Sequence, residues 1–178
     1  MSRGYRISWP QPVWHNASTR VESSDAIAMD VAMLEILPEA EMNALLRQRL
    51  AADGWREGAD GSMSRRFGEV DVVLAPDGRT VTATAKSAQD VNVRARERGE
   101  LPGRLEEAAA SAKRNQATEV SRRILEVEGE IREAVQGALQ KVYGDALRRK
   151  AAAMGEVESV HEVVGEGGEL ELTIKVKV

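Results

Sequence analysis

Cysteine is absent from this 178-residue chain. That excludes disulfides, thiolate zinc sites, iron–sulfur clusters and cysteine nucleophiles. Histidine is almost as scarce: His15 and His161 are the only two, too few for a site that needs three imidazoles from one chain. Aromatics are thin as well, with three Trp, two Tyr and one Phe, so any core must be aliphatic. No apolar run approaches the roughly 18 residues of a membrane span, and Met1 to Arg6 lead into no apolar signal-peptide core. A soluble, cytoplasmic protein is expected, with no membrane partner.

Basic excess is missing too. The net charge is −4, and residues 1–97 and 98–178 carry 12 basic against 14 acidic and 13 against 15 side chains, so each half is −2. Neither half has the surplus that neutralising phosphates requires, which argues against nucleic acid as a partner. Only six basic residues are lysine while alanine is abundant, a bias that suits a GC-rich bacterial coding sequence.

What is present is architectural. At 42% hydrophobic and 30% charged the chain lies in the globular range. Tyr5–Trp9 alternates as a strand and stops at Pro10-Gln11-Pro12. Ile27, Met29, Val31 and Met33 alternate as a second, half-buried strand. Pro38 opens a helix in which Met42, Leu45, Leu46 and Leu50 make one apolar stripe, ended by Gly54. Two hairpins follow, the first turning at Gly58–Gly61 and the second at Ala75-Pro76-Asp77-Gly78. The second has Val70, Val72 and Leu74 on one arm and Val81, Ala83 and Ala85 on the other. After a break near Ser87-Ala88 the alternation resumes at Val91, Val93 and Ala95.

From Arg104 to Met154 there is no proline, and Val120, Ile124, Val127, Ile131 and Ala134 step by four and three as a heptad seam does. Unbroken, that helix would be about 75 Å long at 1.5 Å per residue. A small domain is too narrow to cover it, so it either breaks, at Gly129 or Gly137, or pairs with another chain. Gly129, Gly137 and Gly144 share roughly one face and suit a close backbone approach. Leu170, Leu172, Ile174, Val176 and Val178 alternate strictly and predict a strand burying one face. It returns on the segment before Gly165-Glu166-Gly167-Gly168, read as a hairpin turn rather than a phosphate cradle because no helix follows.

The expected fold is therefore α+β: an antiparallel sheet with a short packed helix, a long helical segment and a C-terminal β-hairpin. The expected divisions are a sheet domain over 1–100, the helix or helical hairpin over 101–155, and the hairpin over 156–178, which either completes the sheet or stands by itself.

Candidate sites are few. His161 beside Glu158 and Glu162 reads as a solvated strand histidine, not a metal site. Ser18, Ser23 and Ser24 lie near His15 without the strand–turn–helix context of a nucleophile. Trp9 and Trp14, around two prolines, either dock in a partner or clamp the arm onto the protein's own sheet. Glu119 with Arg123 and Glu128 with Arg132 read as surface ion pairs. No catalytic residue, cofactor site or metal site is assigned. The candidate interaction residues are Trp9, Trp14, Val120, Ile124, Val127, Ile131 and Val135.

Several short strings carry a family resemblance: Arg3-Gly4-Tyr5-Arg6-Ile7, Ile36-Leu37-Pro38-Glu39, Gly54-Trp55, Ala146-Leu147-Arg148-Arg149-Lys150-Ala151, Gly155-Glu156-Val157 and Leu172-Thr173-Ile174-Lys175-Val176. Together they resemble small accessory proteins of bacterial FtsH ternary systems, which are encoded beside an FtsH-like AAA+ ATPase. The resemblance implies a component that works with an ATPase–protease in a conflict or stress system, and it carries over no catalytic residue. The leading expectation is a non-enzymatic adaptor with a protein partner, an AAA+ ATPase, that also forms homo-oligomers. The alternatives are a hydrolase-like enzyme with a dispersed site over residues such as His15, Asp30 and Glu35, and a self-assembling structural subunit.

Overall fold

The structure is a computed structural model in which residues 13–165 and 170–177 are described. The fold is α+β, as the patterning predicts. Strand β1 (His15–Asp30) is followed by helix α1 (Glu39–Ala52), short β2 (Arg56–Glu57), β3 (Met63–Phe67), β4 (Val70–Leu74) and β5 (Thr80–Ala95). A single 3-10 turn (Arg98–Glu100) leads into α2 (Leu101–Met154), and β6 (Glu156–Val164) and β7 (Leu170–Lys177) close the chain. The five-stranded sheet has the order β1-β5-β4-β3-β2, while β6 and β7 form a two-stranded sheet of their own. Among the described residues the tail hairpin therefore does not pair with the main sheet. Tyr5–Trp9 and the two prolines after it lie outside the described residues, as do Gly167 and Gly168.

The chain divides into two compact units: Met1–Ser24 with Lys86–Val120, and Asp25–Ala85 with Ser121–Val178. In the second unit, Met42, Leu45, Leu46 and Leu50 of α1 are buried, as are Val70, Val72 and Leu74 of β4 and Val81, Ala83 and Ala85 of β5. Ile124, Ile131, Ala138, Val142 and Ala146 of α2 are buried too, so much of this core is built from the apolar stripes read in the sequence, but it is not purely aliphatic as expected, since Trp55 and Phe67 are buried with them. The two hairpin turns form as expected. In the second, the Gly78 N–H donates to Ala75 O at 2.9 Å and Arg79 N–H to Asp77 Oδ1 at 2.9 Å. Gly78 has φ +71°, and a Cβ there would run into the Asn43 carboxamide. Gly54, with φ +88°, makes the left-handed stop of α1.

In the first unit, Val21, Val91, Ala95, Leu101 and Val120 are buried. Arg104 donates to Arg94 O at 3.4 Å and pairs with Glu100 at 2.9 Å.

Four expectations need correction. The strand expected at Ile27–Met33 begins twelve residues earlier, at His15, and stops at Asp30. The strand has no break near Ser87-Ala88: β5 is continuous, with Val81, Ala83, Ala85, Val91 and Ala95 buried, although the alternation in burial lapses where Ala88, Gln89 and Asp90 are all exposed. And α2 is unbroken, yet its stripe is covered within one chain, with Val120 and Ile131 at 0% exposure and Ile124 at 1%. Strands β1 and β5 are also longer than expected, with 16 residues each. The glycines expected to allow close approach do not all do so, since a Cβ on Gly129 or Gly137 would meet nothing within 4 Å.

Candidate functional site

Where β1 ends, the chain runs through 31–38 to α1 and leaves an open groove of about 550 Å³. Asp30, Glu35, Glu39, Asp77 and Arg79 give it its charge. Four carboxylates against one guanidinium make these walls net −3. Arg79 Nη2 donates to Glu39 Oε1 at 2.7 Å, and the Val31 N–H donates to Arg79 O at 2.7 Å. The connection is also tied to α2. The Tyr143 hydroxyl accepts from the Leu34 N–H at 3.2 Å and donates to Ala32 O at 3.3 Å. A second groove of about 330 Å³ shares Asp30, Val31 and Ala32, and is floored by Met29, Val81, Ile131, Val135 and Leu139.

These grooves collect some of the residues singled out in the sequence and not others. Asp30 and Glu35 line the same groove. His15 opens β1 and Asp30 closes it. Among the described residues no cluster of three or more His, Asp and Glu side chains could hold a metal ion. His161 is exposed on β6.

Of the candidate interaction residues, Val120, Ile124, Ile131 and Val135 are buried and Val127 is half-buried. Trp14 is 49% exposed, with the Arg96 guanidinium 5.4 Å from its ring centre. Trp9 lies outside the described residues. Glu128 and Arg132 pair at 2.6 Å, and Arg123 reaches Glu69 in the β3–β4 turn. The residues that sequence reasoning missed are Tyr143, Asp145 and Gln116. Tyr143 and Asp145 act through contacts about a hundred positions away, and no local pattern marks them. Gln116 is detectable, since it stands four before Val120 on the buried line of α2. It is 6% exposed, and neither amide atom has a hydrogen-bond partner.

The outward side of α2 is not wholly polar. Leu125 is 65%, Leu147 37% and Met154 65% exposed. At about 100° per residue these three fall within about 40° of one line along the helix. No helix among the described residues is long and apolar enough to cross a membrane.

These features define an α+β protein whose accessible chemistry is charge, grooves and exposed apolar side chains. The chain belongs to the FtsH ternary system domain X5 family, which it matches over residues 1–178. No curated protein and no solved structure matches it. It is thus a domain of an FtsH ternary system, and the resemblance read from scattered strings of the sequence holds over the whole chain.

Proposed function

We propose that this protein is a non-enzymatic adaptor: it binds the FtsH-like AAA+ ATPase of its system, self-associates, and takes part in a bacterial conflict or stress response. The observation that carries the reading is the family match over residues 1–178, because a ternary system is by name one of interacting components. The surface is consistent with it. Leu125, Leu147 and Met154 offer apolar contact along one line of a helix whose opposite side is held in the core. The buried seam residues Val120, Ile124, Ile131 and Val135, with half-buried Val127, serve this role indirectly by fixing the helix in place. Trp14, half-exposed beside Arg96, is a second contact point.

The experiment is co-purification. The untagged chain, co-expressed with the tagged ATPase of its system, is retained in stoichiometric amount and survives moderate salt. Loss of the chain in the first wash contradicts the reading.

An enzymatic reading has one observation in its favour, the meeting of Asp30 and Glu35 in one groove. That reading predicts that Asp30→Asn and Glu35→Gln abolish an activity while leaving ATPase binding intact. The adaptor reading predicts no such activity to abolish.

A further inference from the structure

The C-terminal hairpin stands apart from the main sheet, and its composition does not suit isolation. A two-stranded ribbon is marginal in water, and three or more strands with an apolar face are needed for independent stability. The pairing Val157↔Val176 and Val160↔Ile174 puts four aliphatic side chains on one face, with Leu172 beside them opposite Glu162. Leu172, Ile174 and Val176 are only half-buried, and Val160 is 41% exposed. The expected burial of this face is therefore incomplete within one chain. Glu162, on the same face, pairs with Arg148 of α2, which orients the hairpin without covering it.

Both strands of this sheet have a free edge among the described residues. The β6 edge is poorly suited to pairing with a copy of itself. It is interrupted by a register shift between Val157 and Ser159, and carries Glu156, Glu158 and Glu162, which would face like charges. The β7 edge is regular, and its sequence, Leu-Glu-Leu-Thr-Ile-Lys-Val-Lys, is complementary to itself when reversed.

We propose that β7 pairs with β7 of a second copy of this chain, antiparallel about a two-fold axis at Ile174, giving a four-stranded sheet β6-β7-β7-β6. This rests on the self-association proposed above and names its surface. In this register Ile174 meets Ile174 of the second copy and Leu172 meets Val176, so the apolar faces of the two hairpins become one. On the other face Glu171 meets Lys177 and Thr173 meets Lys175. Opposite charges directly across a strand pair stabilise it, and like charges do the reverse. A shift of two residues toward the C-terminus would put Thr173 against Lys177 and Lys175 against itself, which the charges exclude; the opposite shift, with Thr173 on the axis, puts Glu171 against Lys175 in place of Lys177, and the cross-links below distinguish it. Lysines on an exposed edge ordinarily discourage pairing. Here each lysine has an acceptor waiting.

The chain's lack of cysteine makes the test clean. Wild-type protein is sedimented at tens of micromolar, and single-cysteine variants are oxidised with copper phenanthroline. Ile174→Cys lies on the axis and cross-links to a dimer at least tenfold faster than Leu172→Cys, which sits four residues from its own copy across the pair. The double variant Leu172→Cys, Val176→Cys regains the fast rate, which guards against a folding defect at position 174. A wild-type monomer overturns both the self-association and this surface. A wild-type dimer in which Ile174→Cys and the double variant react no faster than Leu172→Cys overturns this surface and leaves self-association standing.

Discussion

Arg49 of α1 holds the carboxylate of Asp145 on α2, donating from Nε at 2.9 Å and from Nη2 at 2.6 Å to the same oxygen. The two residues are 96 positions apart, and their side chains are 38% and 23% exposed. The other oxygen of Asp145 accepts from Arg148 at 3.3 Å, and Arg148 in turn pairs with Glu162 of β6. One carboxylate thus links the short helix to the long one, and through Arg148 the long one to the hairpin. Asp145→Ala should cost about 1–2 kcal/mol, in the range of hydrogen bonds to charged groups discounted for partial exposure. Urea unfolding of the two single variants and the Arg49→Leu, Asp145→Ala pair checks it, with the double change costing less than the sum.

Gln116 should behave in the opposite way. Its amide is buried with neither atom paired, so it bears a desolvation cost without a compensating bond. Gln116→Met removes that cost at similar volume and should raise stability by about 1 kcal/mol or more. A fall in the unfolding midpoint would mean that the amide is paired in solution.

The seam of α2 gives a sharper contrast. Ile131 is completely buried within one chain. Ile131→Glu therefore buries a charge and should cost several kcal/mol, a large part of the about 5–15 kcal/mol that holds a domain together. Circular dichroism should show a chain largely unfolded at 37 °C. A folded monomer of normal stability would mean that the seam serves another chain.

Much of this architecture was legible because period carries it. The α1 stripe, the Pro-Asp-Gly hairpin and the β7 alternation follow from 3.6- and 2-residue repeats with turn residues between them. The first half of β1 was not legible, for a physical reason. Its inward positions include His15, Ala17, Thr19, Ser23 and Asp25, which are small or polar, so the alternation is in exposure and not in hydrophobicity. Asp25 is tolerated there because Ser121 Oγ donates to its carboxylate at 2.6 Å. Half-buried Ser87 disguises the middle of β5 in the same manner, and at Ala88, Gln89 and Asp90 the alternation in exposure itself lapses. The groove was half legible: Asp30 and Glu35 were noticed, but their meeting depends on the turn at Asp77-Gly78-Arg79 folding back beside them.

One titration follows from the first hairpin turn. The Asp60 carboxylate accepts from the Ser62 hydroxyl at 2.6 Å and the Ser62 N–H at 3.1 Å, which holds its pKa below the ordinary 3.8. A depressed carboxyl stabilises the folded turn at pH values above its unfolded pKa, and that contribution is lost as pH falls through the folded one. Carbon-detected NMR should find the Asp60 midpoint below 3.8, and Ser62→Ala should move it upward. An unchanged midpoint in that variant would assign the shift elsewhere.

On the proposed function, the AAA+ ATPase of this system binds the outward line of α2. Sedimentation velocity on mixtures of the two purified proteins tests it most directly, with wild type set against Leu125→Glu, Met154→Glu. Both changed positions are 65% exposed, so the variant should keep its melting temperature. The account predicts a stoichiometric complex with wild type and at least a tenfold weaker one with the variant. No complex with wild type at tens of micromolar, or equal binding by the two, would contradict it.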